Sequence, residues 1–109
     1  MNEAIAIQWT EALRSGEYLQ ASNSLQDGGN FCCLGVLCAL GEKAGIGIRT
    51  AGGELKGNYL RDQIAVMEWA EVSSTKGDIT GHGSLADMND EGADFGELAD
   101  LIEEHWLNI

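Results

Sequence analysis

Three cysteines in the apolar run FCCLGVLCAL, residues 31–40, are the side chains of this sequence with the widest range of chemistry. Zinc sites use C-x-x-C pairs or regularly spaced histidines. Here Cys32 and Cys33 are adjacent, and Cys38 follows five residues after Cys33. On a helix, Cys33 and Cys38 would point about 140° apart. The only two histidines, His82 and His105, are distant in sequence, so the spacing predicts no metal site.

A nucleophilic cysteine needs a nearby base and an electropositive setting that lowers the pKa of its thiol. The apolar neighbours in residues 31–37 would raise that pKa instead. Cys32 or Cys33 with His82 as the base is the alternative hypothesis. Because free cysteine behaves as a small hydrophobic residue and is usually buried, we predict that the three thiols fill the interior. We assign no catalytic residue, and the sequence favours a binding protein over an enzyme.

Arginine is scarce in this acidic chain, so an anionic ligand would depend on the few arginines present. Arg14 lies near Tyr18 in sequence, and Arg49 and Arg61 flank Tyr59. Each group combines a cation with an aromatic ring on which a ligand could stack. We therefore predict these five residues as ligand-binding. The alternative is that each arginine forms a surface salt bridge with neighbouring glutamates, which contributes little.

Asn89 and Asp90, in the segment Asn-Asp-Glu-Gly at residues 89–92, form a second candidate ligand site. Their polar groups suit a ligand hydroxyl or a base edge. The alternative is a corner between helices, in which Asn89 or Gly92 has positive φ and Asp90 accepts from local amides. The sequence has no EF-hand loop, no phosphate-binding glycine loop and no Gly-x-Ser-x-Gly motif. No cofactor is predicted.

Helical periodicity predicts the elements that would position these residues. The first helix covers residues 3–15, with Asn2 as its N-cap and Gly16 after its end. A buried helix covers residues 31–44, where Gly35 would allow a neighbouring helix, the one carrying Trp9, to approach closely. Further helical segments are expected over residues 60–72, after a Ser84 cap, and after Asp94, whose capping box includes Glu97.

Glycine-rich segments separate the helices. Residues 17–30 are predicted to be extended or looped, and residues 46–58 to form two short extended pieces around a turn at 51–53. Residues 73–83 are polar and glycine-rich, so we expect a mobile loop. Together these elements predict a mainly helical α+β fold, with about four helical segments and short hairpin-like pieces between them.

Length and composition predict one compact domain over residues 1–109, since 44% of the residues are hydrophobic. No run of about 18 apolar residues would span a membrane. The first residues lack the basic region of a signal peptide. We therefore expect a cytoplasmic protein, in which the odd number of cysteines stays reduced.

The charge is strongly asymmetric. Eighteen acids and six bases give a formal net charge of −12, and residues 77–109 contain nine acids but no lysine or arginine. Such a chain repels nucleic acid and anionic membranes at long range. It would attract a basic partner, but high solubility is the simpler explanation of the charge.

Three blocks, in order along the chain, carry a resemblance to a known family. They are the pattern W-x-x-A-L-R-S-G-x-Y-x-Q at residues 9–20, C-C-L-G-V-L-C at 32–38, and the stretch from Leu85 to Glu103. The sequence resembles a family of small proteins encoded by tailed bacteriophages and prophages. The resemblance implies a phage accessory protein acting in the cytoplasm of an infected bacterium, and by association an inhibitor of host defence.

Two hypotheses on function follow. In the first, the protein binds and sequesters a small nucleotide-type immune signal, in a pocket between protomers of a homo-oligomer that residues 73–83 close. In the second, it is an acidic inhibitor that binds a basic, nucleic-acid-binding surface of a host defence protein. In the second hypothesis, Asp100, Glu103 and Glu104 on the outer face of the last helix would supply the charge.

Overall fold

The structure is a computed structural model that describes residues 1–109. It confirms a mainly helical α+β fold, with five α-helices where the sequence predicted about four helical segments. The helices are α1 (Glu3–Arg14), α2 (Cys33–Lys43), α3 (Ile64–Ala70), α4 (Leu85–Asp90) and α5 (Phe95–His105), with 3₁₀ turns at Leu60–Asp62 and Trp106–Asn108. None of the helices combines the length and apolar character that a membrane crossing requires.

Side-chain caps begin three of the helices, at the positions that the sequence predicted. The Oδ1 atom of Asn2 accepts from the backbone N–H of Ile5 at 3.0 Å. The Oγ atom of Ser84 accepts from the N–H of Asp87 at 3.0 Å, and Asp94 does the same for Glu97 at 2.8 Å. These caps satisfy backbone donors that have no partner within the helix, so local sequence alone determines where these helices begin.

The segments between the helices form three very small sheets. Strands β1 (Leu19–Gln20), β2 (Gln26–Asp27) and β3 (Asn30–Phe31) pair in the order β1-β3-β2, with β1 parallel and β2 antiparallel to β3. Strands β4 (Thr50–Ala51) and β5 (Glu54–Leu55) form the predicted hairpin. Residues 73–83, expected to be a loop, contribute instead to a hairpin of β6 (Asp78–Ile79) and β7 (Gly83–Ser84), because buried Ile79 anchors it to the core.

Helix α2 lies within the core and packs against α1, α3 and α4. Trp9 of α1 is fully buried, and its indole N–H donates to the carbonyl oxygen of Cys33 at 2.9 Å. The expected close approach at Gly35 exists, but the neighbour is not α1. A Cβ atom at position 35 would overlap the carbonyl oxygen of Leu25. The prediction was wrong about the neighbour because the chain entering β2 buries Leu25 against α2.

The predicted helical segment at 60–72 ends at Ala70, because Glu71 is left-handed with φ 57°, and a break at Gln63 divides it. Gln63 has φ −134° and ψ 53°, and it separates the 3₁₀ turn from α3. Its buried side-chain amide accepts from the N–H of Arg49 at 2.8 Å and donates to the carbonyls of Arg49 and Lys56 at 2.7 and 3.0 Å. Gln63 thus fixes both ends of the β4–β5 hairpin to the body of the protein.

Candidate functional site

All three cysteines are buried, as the sequence predicted. Burial raises the pKa of Cys32 to about 11 and that of Cys38 to about 12, and it raises the pKa of Cys33 well above its ordinary value. The Sγ atom of Cys32 also caps α2 by accepting from the N–H of Gly35 at 3.4 Å. Neutral thiols in such surroundings are poor nucleophiles, so the cysteine run belongs to the packing of the protein.

His82, considered as a base for a cysteine nucleophile, lies instead against His105. Their ring centroids are 4.6 Å apart. The Nε2 atom of His105 is buried without a hydrogen-bond partner, and the nearest carboxylate oxygen, on Glu104, is 3.8 Å away. Nothing in the sequence predicted this contact, because 22 residues separate the two histidines. No group of three or more His, Cys, Asp or Glu side chains is arranged to hold a metal ion.

Asn89, a predicted ligand-binding residue, lies in the interior with 1% of its surface exposed. Its Oδ1 atom accepts from the N–H of Cys33 at 3.1 Å and from Nε2 of Gln20 at 2.9 Å. Its Nδ2 atom donates to the carbonyl of Ala21 at 2.8 Å and to Oδ1 of Asp90 at 3.2 Å. A side-chain amide has two donors and two acceptor positions, so protein groups occupy the whole bonding capacity of Asn89.

Asp90 lies beside Asn89 and binds the chain near β1. Its Oδ1 atom accepts from the backbone N–H of Asn23 at 2.8 Å. Asn23 has positive φ, 68°, and Gly92, after α4, has φ 111°. The positive φ of Gly92 agrees with the helix corner that the sequence offered as the alternative to a ligand site, but Asp90 binds a backbone amide 67 residues away and not a local one.

Arg14 and Tyr18 bind different partners. The guanidinium of Arg14 donates to Oδ1 of Asp100 at 2.7 Å and to Oε2 of Glu103 at 2.8 Å, joining α1 to α5 on the surface. Hydrogen bonds to Glu103 and then Asp100 raise the pKa of Arg14. Tyr18 accepts from Nζ of Lys43 at 3.2 Å. Without a ligand, the two side chains therefore have separate protein partners.

Two cations, Arg61 and Lys76, lie near the ring of Tyr59, and the sequence analysis did not predict Lys76. The Arg61 guanidinium lies 5.5 Å from the centre of the Tyr59 ring, and Nζ of Lys76 lies 4.9 Å from it. Lys76 also forms a salt bridge with Asp87 at 3.0 Å. Sequence reasoning missed Lys76 because it lies 17 residues after Tyr59. Arg49 is exposed, and only its backbone has a described partner.

The surface contains two grooves. The first, about 210 Å³, lies between α1 and the end of α5 and is referred to below as the α1–α5 groove. It is lined by Glu3, Ala6, Ile7, Thr10, Glu11, Arg14, Glu103 and Trp106. The second, about 180 Å³, lies between α2 and the β4–β5 hairpin and includes Phe31, Glu42 and Ile48. Both are smaller than the roughly 300–1,000 Å³ typical of small-molecule sites.

The outer face of α5 concentrates negative charge. The side chains of Asp100, Glu103 and Glu104 are 76%, 68% and 74% exposed. Arg14 is the one cation paired with this face, and it contacts two of these three carboxylates. The face therefore keeps an excess of carboxylates that point into solvent, as the sequence predicted for these three residues.

Comparison with known proteins gives a family without an assigned activity. No curated protein and no solved structure gave a significant match to the chain. A family model described as a domain of unknown function, DUF8296, matches residues 1–106. That range includes every candidate residue described above, from Arg14 to Asp90, and all five α-helices. The chain belongs to the DUF8296 family.

Proposed function

We propose that this protein is a phage-encoded accessory protein that acts in the host cytoplasm by binding a basic surface of a host defence protein. The supporting observation is the outer face of α5, where Asp100, Glu103 and Glu104 are mostly exposed and only Arg14 opposes them. A row of exposed carboxylates complements a surface built for phosphates, and such complementarity increases both association rate and specificity. The phage origin is supported by the three sequence blocks described above.

The charge of the whole chain strengthens this proposal. The formal net charge is −12, and two of the six basic residues, Arg14 and Lys76, are already paired with carboxylates in the structure. Few unpaired basic residues therefore remain to oppose the long-range attraction of this chain to a basic groove. Because the contacts are exposed, binding should weaken steeply as the ionic strength rises.

Capture from a nuclease-treated lysate of a host bacterium tests the proposal. The immobilised protein should retain DNA-binding proteins at low salt and release them when duplex DNA is added. The variant Asp100→Asn/Glu103→Gln/Glu104→Gln should retain much less. A matched control, Glu17→Gln/Glu42→Gln/Glu68→Gln, removes the same charge from other exposed positions. Equal retention by both triple variants, or retention that DNA does not reverse, would contradict the proposal.

A second function, sequestration of a small nucleotide-type immune signal, is favoured by the surroundings of Tyr59. An aromatic ring with cations at 4.9 and 5.5 Å offers a base-stacking surface next to charges for phosphates. The small volume of both grooves suggests that a complete nucleotide pocket would need a second protomer.

Thermal shift and equilibrium dialysis with cyclic nucleotides and ADP-ribose derivatives test this second function. Lys76→Gln should abolish binding, whereas Lys43→Gln, which removes a lysine from the other tyrosine ring, should not. Heating should release the nucleotide unchanged. Absence of binding across the panel, or equal effects of the two lysine variants, would count against sequestration at Tyr59.

A further inference from the structure

The α1–α5 groove has an apolar floor that no part of this chain covers. Helix α1 buries Ile5, Trp9 and Leu13 against the core, but Ile7 points away from that stripe and is 52% exposed. Beside Ile7 the groove is lined by Ala6 and by the partly buried ring of Trp106. Ile7 and Trp106 thus line one groove together, and aromatic residues are enriched at protein interfaces.

The rim of this groove is acidic. Glu3 and Glu11 are exposed on α1, and Glu103 is exposed on α5. The one base in the lining, Arg14, already donates to Glu103 and to Asp100. The groove therefore combines an apolar floor with a rim on which Arg14 is paired with Glu103, while Glu3 and Glu11 have no basic partner.

We propose that the α1–α5 groove binds a basic amphipathic helix of the partner protein, with an apolar anchor on Ile7 and Trp106 and flanking lysines or arginines on the acidic rim. This inference rests on the proposed function, in which the partner is a basic protein, and it specifies the part of the partner that is recognised. Helices dock in grooves through apolar residues at i, i+3 and i+4. Basic residues on the neighbouring turns then reach the unpaired carboxylates of Glu3 and Glu11.

The size and charge of the groove support this occupant. A volume of about 210 Å³ accommodates an apolar anchor but is small for a drug-sized molecule. A second copy of this chain would bring another net charge of −12 to an acidic rim, and like charges in contact oppose association. A basic amphipathic helix has apolar residues to contact the floor and cations to pair with the carboxylates of the rim.

Binding of a defined peptide tests the inference. The probe is an 18-residue helical peptide with leucines on one face and lysines on the other, and the control peptide has the same lysines with every leucine replaced by glutamine. Fluorescence of Trp106 reports on the groove directly, in a Trp69→Phe background, since Trp9 is buried. The leucine peptide should change this fluorescence, whereas the glutamine peptide should not.

Two isoleucine variants provide the matched comparison. Ile7→Gln should weaken binding of the leucine peptide by about fivefold to tenfold, because it removes the contact of a half-exposed aliphatic side chain. Ile64→Gln changes an isoleucine of similar exposure, 49%, on α3 outside the groove, and it should leave the affinity unchanged. Neither substitution removes a buried residue, so both variants should fold.

The possible failures are distinguishable. If both peptides bind equally and Ile7→Gln matches Ile64→Gln, the groove proposal is overturned, while charge-driven binding through α5 can still stand. If the α5 triple variant captures host proteins as well as the unaltered protein does, the proposed function fails whatever the peptides do. If the protein alone dimerises and Ile7→Gln makes it monomeric, the groove is a self-interface, and the proposal is also overturned.

Discussion

Replacing Asn89 with alanine should strongly destabilise this protein, because its side chain connects α2, α4 and the chain after β1. The substitution removes hydrogen bonds to the N–H of Cys33, the carbonyl of Ala21, and the side chains of Gln20 and Asp90. The side chain of Gln20 still donates to the carbonyl of Ala93, and that of Asp90 still accepts from the N–H of Asn23. The Cys33 N–H and the Ala21 carbonyl are left buried and unpaired.

The magnitude follows from those two groups. An unsatisfied buried donor or acceptor costs about 1–3 kcal/mol, so Asn89→Ala should lower the free energy of unfolding by about 4 kcal/mol. Domains of this size have a total stability of about 5–15 kcal/mol. For a urea m-value of about 1.5 kcal/mol/M, the loss moves the unfolding midpoint down by about 2.7 M.

Urea unfolding followed by tryptophan fluorescence measures this change, since three tryptophans are distributed along the chain. The control is Asn58→Ala, which alters an exposed asparagine without a described side-chain hydrogen bond and should shift the midpoint by less than about 0.3 M. A shift this small in Asn89→Ala as well would refute the structural role of Asn89. It would also return Asn89 to the set of residues free to bind a ligand.

Three further predictions concern the core around α2. Gly35→Ala should cost about 3 kcal/mol of stability, because its Cβ atom would overlap the carbonyl of Leu25. The control Gly29→Ala, where no atom lies within 4 Å of the added Cβ, should change stability by less than about 0.5 kcal/mol. Similar unfolding midpoints for the two variants would contradict the close contact between Gly35 and Leu25. At pH 7.5, Cys32 and Cys38 should react with iodoacetamide at least about a hundredfold more slowly in the native protein than in urea, because burial raises both pKa values above 9.0. Because both pKa values are raised in the folded state, the neutral thiols of Cys32 and Cys38 contribute fully to stability below about pH 9. This contribution is progressively lost as the pH rises through about 11 and 12. The unfolding midpoint of Cys32→Ser/Cys38→Ala should therefore fall less between pH 8 and pH 11 than that of the unaltered protein. Rapid native alkylation, or the same fall in both proteins, would show that the thiols are accessible.

Features set by neighbours in sequence were predictable. The caps at Asn2, Ser84 and Asp94 depend on donors three residues further on, so the motif contains both partners. The burial of the cysteine run followed from its apolar neighbours. The hairpin around residues 51–53 followed from its glycines. In each case, the information lies within a short window of the chain.

Features set by distant contacts were not predictable. The contact between His82 and His105, the approach of Lys76 to Tyr59 and the passage of Leu25 over Gly35 of α2 join residues at least ten positions apart. No periodicity encodes these contacts, because each depends on how the irregular segments fold back onto the helices. The pairing of Arg14 with Asp100 and Glu103 of α5, 86 and 89 residues away, is a further contact of this kind.

The irregular segments are held largely by amide side chains, which explains why sequence alone could not separate ligand sites from structure. Every strand has only two residues, and such short ladders have little stability of their own. Gln63 binds both ends of one hairpin, Gln26 accepts from the N–H of Leu55, and Asn89 joins three elements. An amide that binds a ligand and one that replaces a missing β-ladder look identical in sequence. The distinction lies in whether its donors and acceptors are already occupied, and in Asn89 all of them are.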